Sequence, residues 1–192
     1  QRVTVSEDFN RVLSAALSLS KATDGAFDVT VGPLVNVWGF GPTVRDRLPS
    51  TAALAVALRR VGYSNLVLNG RGLTKRVEGM VLDFSGIAKG YGVDAVAEIL
   101  RRRGIGNYLV EIGGEVTVAG QAPGGEIWAV GIERPEENAA RDGALYAVVH
   151  LTRGALATSG SYRRFKRRRA QKSHHIIDPR TGMSSNSALV SV

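Results

Sequence analysis

One thirteen-residue stretch constrains this chain more than any other: Leu82-Asp83-Phe84-Ser85-Gly86-Ile87-Ala88-Lys89-Gly90-Tyr91-Gly92-Val93-Asp94. It reads as a buried strand ending in a carboxylate, a tight Ser-Gly turn, then a helix that opens with a lysine. Free backbone N–H groups and the positive dipole end make a helix N-terminus attractive to anions. Lys89 is therefore out of place, because a cation in the first turn opposes the dipole by about 0.3–1 kcal/mol. A negative partner must compensate, and two fit. Asp83 would be a purely structural answer, and a ligand phosphate would be a functional one.

The rest of the chain must supply a core around that stretch. At 192 residues it suits a single domain that buries about 70% of its unfolded surface. With 44% hydrophobic residues and 23 glycines it describes a turn-rich globular protein. No apolar run approaches the roughly 20 residues of a membrane span, and no signal peptide is visible. The opening Gln1-Arg2-Val3-Thr4 reads as a cut inside a longer chain, so that absence carries no weight. With no cysteine, disulfides, thiolate metal sites and cysteine nucleophiles are excluded.

The net charge of +8 is unevenly placed. Arg163, Arg164, Lys166, Arg167, Arg168, Arg169 and Lys172 fall in one ten-residue window. Its plain reading is a solvated or disordered loop, and its sharper reading is an anionic partner. Few aromatics interleave the run and no groove-reading fold is visible, so no nucleic-acid partner is expected.

In chain order, Ser6 precedes Glu7 and Asp8, and Phe9, Val12, Leu13, Ala16 and Leu17 form one helical stripe. Asp24-Gly25 breaks that helix. Residues 26–31 then read as a short extended segment before an element beginning at Pro33. Trp38-Gly39-Phe40-Gly41-Pro42 is an aromatic loop, plainly read as a surface-capping cluster. Ser50 caps a second helix running to about Arg60. Residues 65–68, 72–78 and 80–83 read as three strands, the first two joined by Asn69-Gly70-Arg71. A helix from about Ala88 to Arg103 would turn Val93, Val96, Ile99 and Leu100 to the core, with Asp94 on the solvated face beside Glu98, Arg101 and Arg102. Strands follow at 107–112 and 115–119 around a Gly113-Gly114 corner, then at 126–133, 145–151 and 155–158. His174 to Ile177 runs into Asp178-Pro179-Arg180-Thr181-Gly182, a strong turn signal. Ala188 to Val192 begins another strand. Helices in the first half followed by hairpin-like strands argue for an α+β fold with a mainly antiparallel or mixed sheet.

Familiar nucleotide, zinc and serine-hydrolase motifs are absent. Three segments remain: the strand–turn–helix at 82–94, Thr158-Ser159-Gly160-Ser161-Tyr162-Arg163, and His174-His175-Ile176-Ile177-Asp178-Pro179-Arg180-Thr181-Gly182. Strand alternation puts His175 with Ile177 on one face and His174 with Ile176 on the other, without saying which histidine faces a site. A histidine beside Asp, Arg and Thr suits general-base work, and equally it serves as a structural residue.

Together these segments resemble the ApbE family, the FAD:protein FMN transferases. The resemblance spans nearly the whole chain. Residues 25–34 with Trp38-Gly39-Phe40, 82–91 through Asp94, Glu111-Ile112-Gly113-Gly114-Glu115, 158–162 and 175–182 carry it in order. It implies an α+β, T-fold-like architecture over 1–192, one domain incomplete at both ends. It implies a Mg2+-dependent enzyme that takes FMN from FAD to a Thr or Ser of an acceptor flavoprotein and releases AMP. The alternative within the family is FAD binding, or hydrolysis to FMN and AMP, without protein transfer.

By the same resemblance His175 is the proposed base and Ala88 offers its backbone carbonyl to magnesium. Ala26, Phe27, Asp28, Lys89, Gly90, Tyr91, Asp94, Ser159, Gly160, Arg163 and Asp178 line the FAD site. The family's further metal ligands, an Asp and a Thr, are expected beyond Val192. A Met-Gly-Thr strand and a Ser-rich segment are expected before residue 1. These 192 residues are accordingly expected to bind magnesium weakly and transfer FMN poorly. Location is not legible here; the family suggests an extracytoplasmic protein, tied to a membrane through an N-terminal anchor.

Overall fold

The structure is a computed structural model, describing residues 2–42, 47–136, 143–162, 165–168 and 171–192. The chain forms two compact units, Gln1–Gly86 with Phe165–Asn186, and Ile87–Arg164 with Ser187–Val192. Among the described residues every strand ladder is antiparallel, and the fold is α+β as expected. Among the described residues no helix is long and apolar enough to cross a membrane.

In the first unit, β1 (Arg2–Thr4), β3 (Gly72–Lys75) and β2 (Leu66–Asn69) form a sheet in that spatial order. Helix α1 (Glu7–Ala22) starts where the Ser6 hydroxyl accepts the Phe9 N–H at 3.2 Å, and it buries Leu13, Ala16 and Ser20. That 3–4 spacing is one helical face. Helix α3 (Thr51–Leu58) is capped the same way by Ser50 on Ala53. Helix α2 (Gly32–Trp38) has Pro33 in its first turn. Gly32 is required there, because a Cβ would stand 2.7 Å from the Val81 carbonyl oxygen. Leu34, Trp38, Ala57 and Ile177 form the core, with Val31, Val35, Leu54 and Leu58 packed on them. Each such buried aliphatic side chain contributes about 1.5–3 kcal/mol.

Two expectations change here. Residues 26–31 are turns rather than an extended segment, because Asp28 bends the backbone onto its own side chain. Residues 80–83 make no ladder beyond a single parallel bridge from Val81 to Val31. The basic window also differs from the expected loop. Strands β9 (Phe165–Arg168) and β10 (Gln171–His174) pair as a hairpin, with Lys166 opposite Ser173. Ser173 is buried, so one face of the hairpin is packed. Arg163, Arg164 and Arg169 lie outside the described residues.

In the second unit, helix α4 (Ala88–Arg102) packs on β4 (Tyr108–Ile112) and β5 (Glu115–Ala119) of a sheet completed by β8 (Arg153–Leu156), ordered β4-β5-β8. The buried stripe is Val93 and Ala97 with Leu100, whereas Val96 is 40% and Ile99 52% exposed. The sheet lies under the 93/97/100 face, a choice that apolar spacing leaves open. Strands β6 (Trp128–Glu133) and β7 (Leu145–Leu151) form a hairpin whose Trp128, Val130 and Leu151 pack with Val116 and Val118. The last residues pair with 159–161: Ser159 and Val192 exchange N–H···O bonds of 2.9 Å, and Ser161 N–H donates to Val190 at 3.0 Å.

Candidate active site

In the first unit the site is built on α2. Its C-terminus closes through Gly39 in the left-handed region (φ 73°), while the Phe40 N–H reaches back to the Val35 carbonyl at 3.0 Å. That closure delivers Phe40 to His175, with ring centroids 6.4 Å apart at 67°, an edge-on arrangement. Two residues earlier, Trp38 Nε1 donates to the Gly182 carbonyl at 2.8 Å, tying the helix to the 178–182 turn.

The His175 backbone is held from the other side. The Ser184 hydroxyl accepts the His174 N–H and donates to the His174 carbonyl, both at 3.0 Å. Ser185 N–H donates to Ile176 O at 2.9 Å, and Ile177 bridges to Ser184. Ile177 goes into the core and Ile176 to solvent, while both histidines are half-buried. His175 is the one whose ring meets Phe40.

Asp178 organises the turn that follows. Its carboxylate accepts the Arg180 N–H at 2.9 Å and the Arg180 guanidinium at 3.1 and 3.2 Å. That guanidinium holds the Asp178 carboxyl below the usual carboxylate range, and Arg180 is raised in turn. Gly182 ends the turn at φ 74°.

Asp28 is buried and internally engaged. One carboxylate oxygen accepts Thr30 N–H at 2.8 Å and Thr30 Oγ1–H at 2.6 Å; the other accepts Tyr63 N–H at 2.8 Å. Ala26 and Phe27 cap the end of α1 through Thr23, and the Phe27 ring covers Gly86. Asp28 and the 178–182 turn meet around one cavity of about 340 Å³, lined also by Asp24, Gly25, Tyr63 and Arg180.

In the second unit, Ala88 opens α4 with no side-chain cap, since Ile87 occupies the N-cap. Lys89 pairs with Glu115 at 2.5 Å and donates to Gly113 O at 2.9 Å. Asp83, the structural candidate, instead accepts the Ser85 N–H at 2.8 Å. The carboxylate answering Lys89 is thus Glu115, 85% removed from solvent at its side chain. Gly90 has open space where a side chain would project, and Tyr91 is half-buried. Asp94 is exposed on an open cavity of about 390 Å³ with Glu98, Arg101, Tyr108, Thr117 and Arg153. Arg102, then Arg101, hold the Glu98 carboxyl below its ordinary value. Ser159 and Gly160 belong to the pairing with 190–192, and a side chain on Gly160 would collide with the Tyr162 ring. Arg163 is outside the described residues.

The resemblance drawn from the motifs is matched by comparison with known proteins. Residues 1–192 match the ApbE family from end to end. The chain belongs to the ApbE family. The FAD:protein FMN transferase of Vibrio cholerae serotype O1 is 41% identical over 182 residues, covering 94% of this chain and 54% of that protein. Its Haemophilus influenzae counterpart is 40% identical, over 99% of this chain and 56% of that protein. The ApbE protein of Thermotoga maritima superposes with a TM-score of 0.87 at 33% identity, covering all of this chain and 61% of the other. The V. cholerae flavin transferase ApbE gives 0.83 at 40%, over all of this chain and 60% of the other. The chain thus spans little more than half the length of its curated ApbE relatives.

Among the described residues, no group of three or more His, Asp or Glu is gathered to hold a metal ion. Motif reading missed the supports of these residues: in the first unit Phe40 and Trp38 under the 175–182 segment with Ser184 behind it, and in the second unit Glu115 opposite Lys89. The aromatic pair was visible as Trp-Gly-Phe, but its target lies more than 130 residues away in the chain.

Proposed function

We propose that the chain is the flavin-transferring part of an FAD:protein FMN transferase. The observation that carries this reading is the match of all 192 residues to the ApbE family, with His175 braced between Phe40 and the Ser184 strap. In the proposed reaction, a Thr or Ser hydroxyl of an acceptor flavoprotein attacks the FMN-side phosphorus of FAD. A phosphoester forms and the diphosphate P–O bond breaks, so that AMP leaves with the bridging oxygen. The hydroxyl proton passes to His175, a half-buried imidazole suited to general-base work.

Transfer of this kind depends on positioning and electrostatics more than on covalent help from the protein. The uncapped N-terminus of α4 offers first-turn N–H groups to phosphate oxygens. Lys89, drawn to Glu115 and half exposed, adds positive charge to the same turn. Magnesium belongs to this reading through the resemblance, with the Ala88 carbonyl as one ligand.

The test uses the full-length protein with FAD, Mg2+ and an acceptor flavoprotein, read by mass spectrometry. A Thr or Ser carrying an FMN phosphoester supports transfer. Free FMN and AMP beside unmodified acceptor would identify hydrolysis instead. His175→Ala should abolish the phosphoester, and undiminished transfer would remove His175 from the mechanism.

A further inference from the structure

Lys166 lies in the most basic stretch of the chain, yet its ammonium turns inward. Its Nζ donates to the Gly39 carbonyl at 2.6 Å and stands 5.1 Å from the centroid of the Phe40 ring. Both partners sit at the C-terminal end of α2, where the helix closes through left-handed Gly39. A cation at a helix C-terminus is favoured by the helix dipole, and a cation over an aromatic face by the ring quadrupole. The two attractions act together. Cross-strand pairing sets Lys166 opposite buried Ser173, so the backbone of the hairpin also turns this position inward.

Phe40, gripped by that ammonium, presents its ring to His175 edge-on. The backbone on either side of His175 is fixed by the Ser184 and Ser185 hydrogen bonds. The imidazole has two torsions of its own and needs a wall to pack against. Phe40 is that wall. We infer that Lys166 is a positioning residue for His175, acting through Phe40: its ammonium locks the ring that fixes the imidazole. The kinetic side of this inference rests on the reading of His175 as proton acceptor, whereas the geometric side does not.

The full-length protein tests both sides. Lys166→Met keeps the aliphatic stem and removes the charge, so kcat for FMN transfer should fall about tenfold while KM for FAD stays within about twofold, as small misplacements of a catalytic group do. Lys166→Arg, which restores a cation over the ring, should recover most of the rate. Phe40→Leu, with Lys166 intact, should reproduce the loss in kcat and covers the case in which Lys166→Met does not fold.

In protein labelled at His and Phe, the nuclear Overhauser contact between the Phe40 ring and the His175 imidazole should vanish in Lys166→Met and survive in Lys166→Arg. Wild-type kcat in Lys166→Met, or a retained ring contact, overturns the inference. If His175→Ala transfers FMN at the wild-type rate, the base assignment falls, and the ring contact alone then decides the role of Lys166.

Discussion

Replacing Asp28 with asparagine should destabilise the first unit by about 2 kcal/mol without touching a ligand. The carboxylate serves three donors: Thr30 N–H and Thr30 Oγ1–H on one oxygen, Tyr63 N–H on the other. Thr30 Oγ1 passes the connection on by accepting the Gly62 N–H at 2.7 Å. An asparagine amide has one acceptor end and one donor end. In one orientation its NH2 faces the Tyr63 N–H, and in the other it faces both Thr30 donors. Either way at least one donor in a closed setting is left unmatched, at a cost of about 1–3 kcal/mol. The remaining bonds also lose the strengthening that a full charge provides. For a urea m-value of about 2 kcal/mol/M, the unfolding midpoint should drop by about 1 M. FAD affinity, measured on the folded protein by fluorescence quenching, should fall only as far as the 26–31 loop loosens. An unchanged midpoint together with clearly weaker FAD binding would refute this, and would make the Asp28 carboxylate a direct ligand contact.

Arg180→Met should release Asp178 from the guanidinium that lowers its pKa. The folded value lies below the unfolded one, so the stabilisation is complete above the unfolded carboxylate pKa of about 3.9 and drains away as pH falls through the folded value. With Arg180 largely exposed, the variant should lose only a little stability at pH 7. That gap from wild type should close in strong acid, and a constant gap in urea midpoints across pH would contradict the assignment. Trp38→Phe removes the donor to the Gly182 carbonyl and should cost about 1–2 kcal/mol by thermal or urea denaturation. Gly182→Ala should cost at least as much, because it forces a side chain into the left-handed region and sets its Cβ 3.1 Å from Leu34 Cδ2; wild-type stability in either variant would contradict the packing described.

Short-range chemistry made much of this molecule legible from the chain. The Ser6 and Ser50 caps, the Asn69-Gly70 hairpin, the Gly113-Gly114 corner and the Asp178–Gly182 turn all stand where their residues point. Each is closed by hydrogen bonds spanning a few residues, so the local sequence holds both partners. The same locality explains the misreading at 26–31. Apolar spacing suggested extension, while the Asp28 side chain was already within reach of the Thr30 backbone.

Residues 88–102 show the boundary most clearly. That they form a helix, that Val93 and Leu100 line its inner side, and that Lys89 requires a negative partner follow from periodicity and the dipole. Which partner answers, and whether Val96 or Ala97 is buried, depends on the strand laid against the helix. Glu115 lies 26 residues from Lys89 in the chain and 2.5 Å from it in space. Lys166 makes the same point: its sequence context is simply basic, and the end of α2 beneath it turns its charge inward onto Phe40. Local hydrogen bonding selects the elements; charge and packing act through space, and their partners are assembled only when the chain folds.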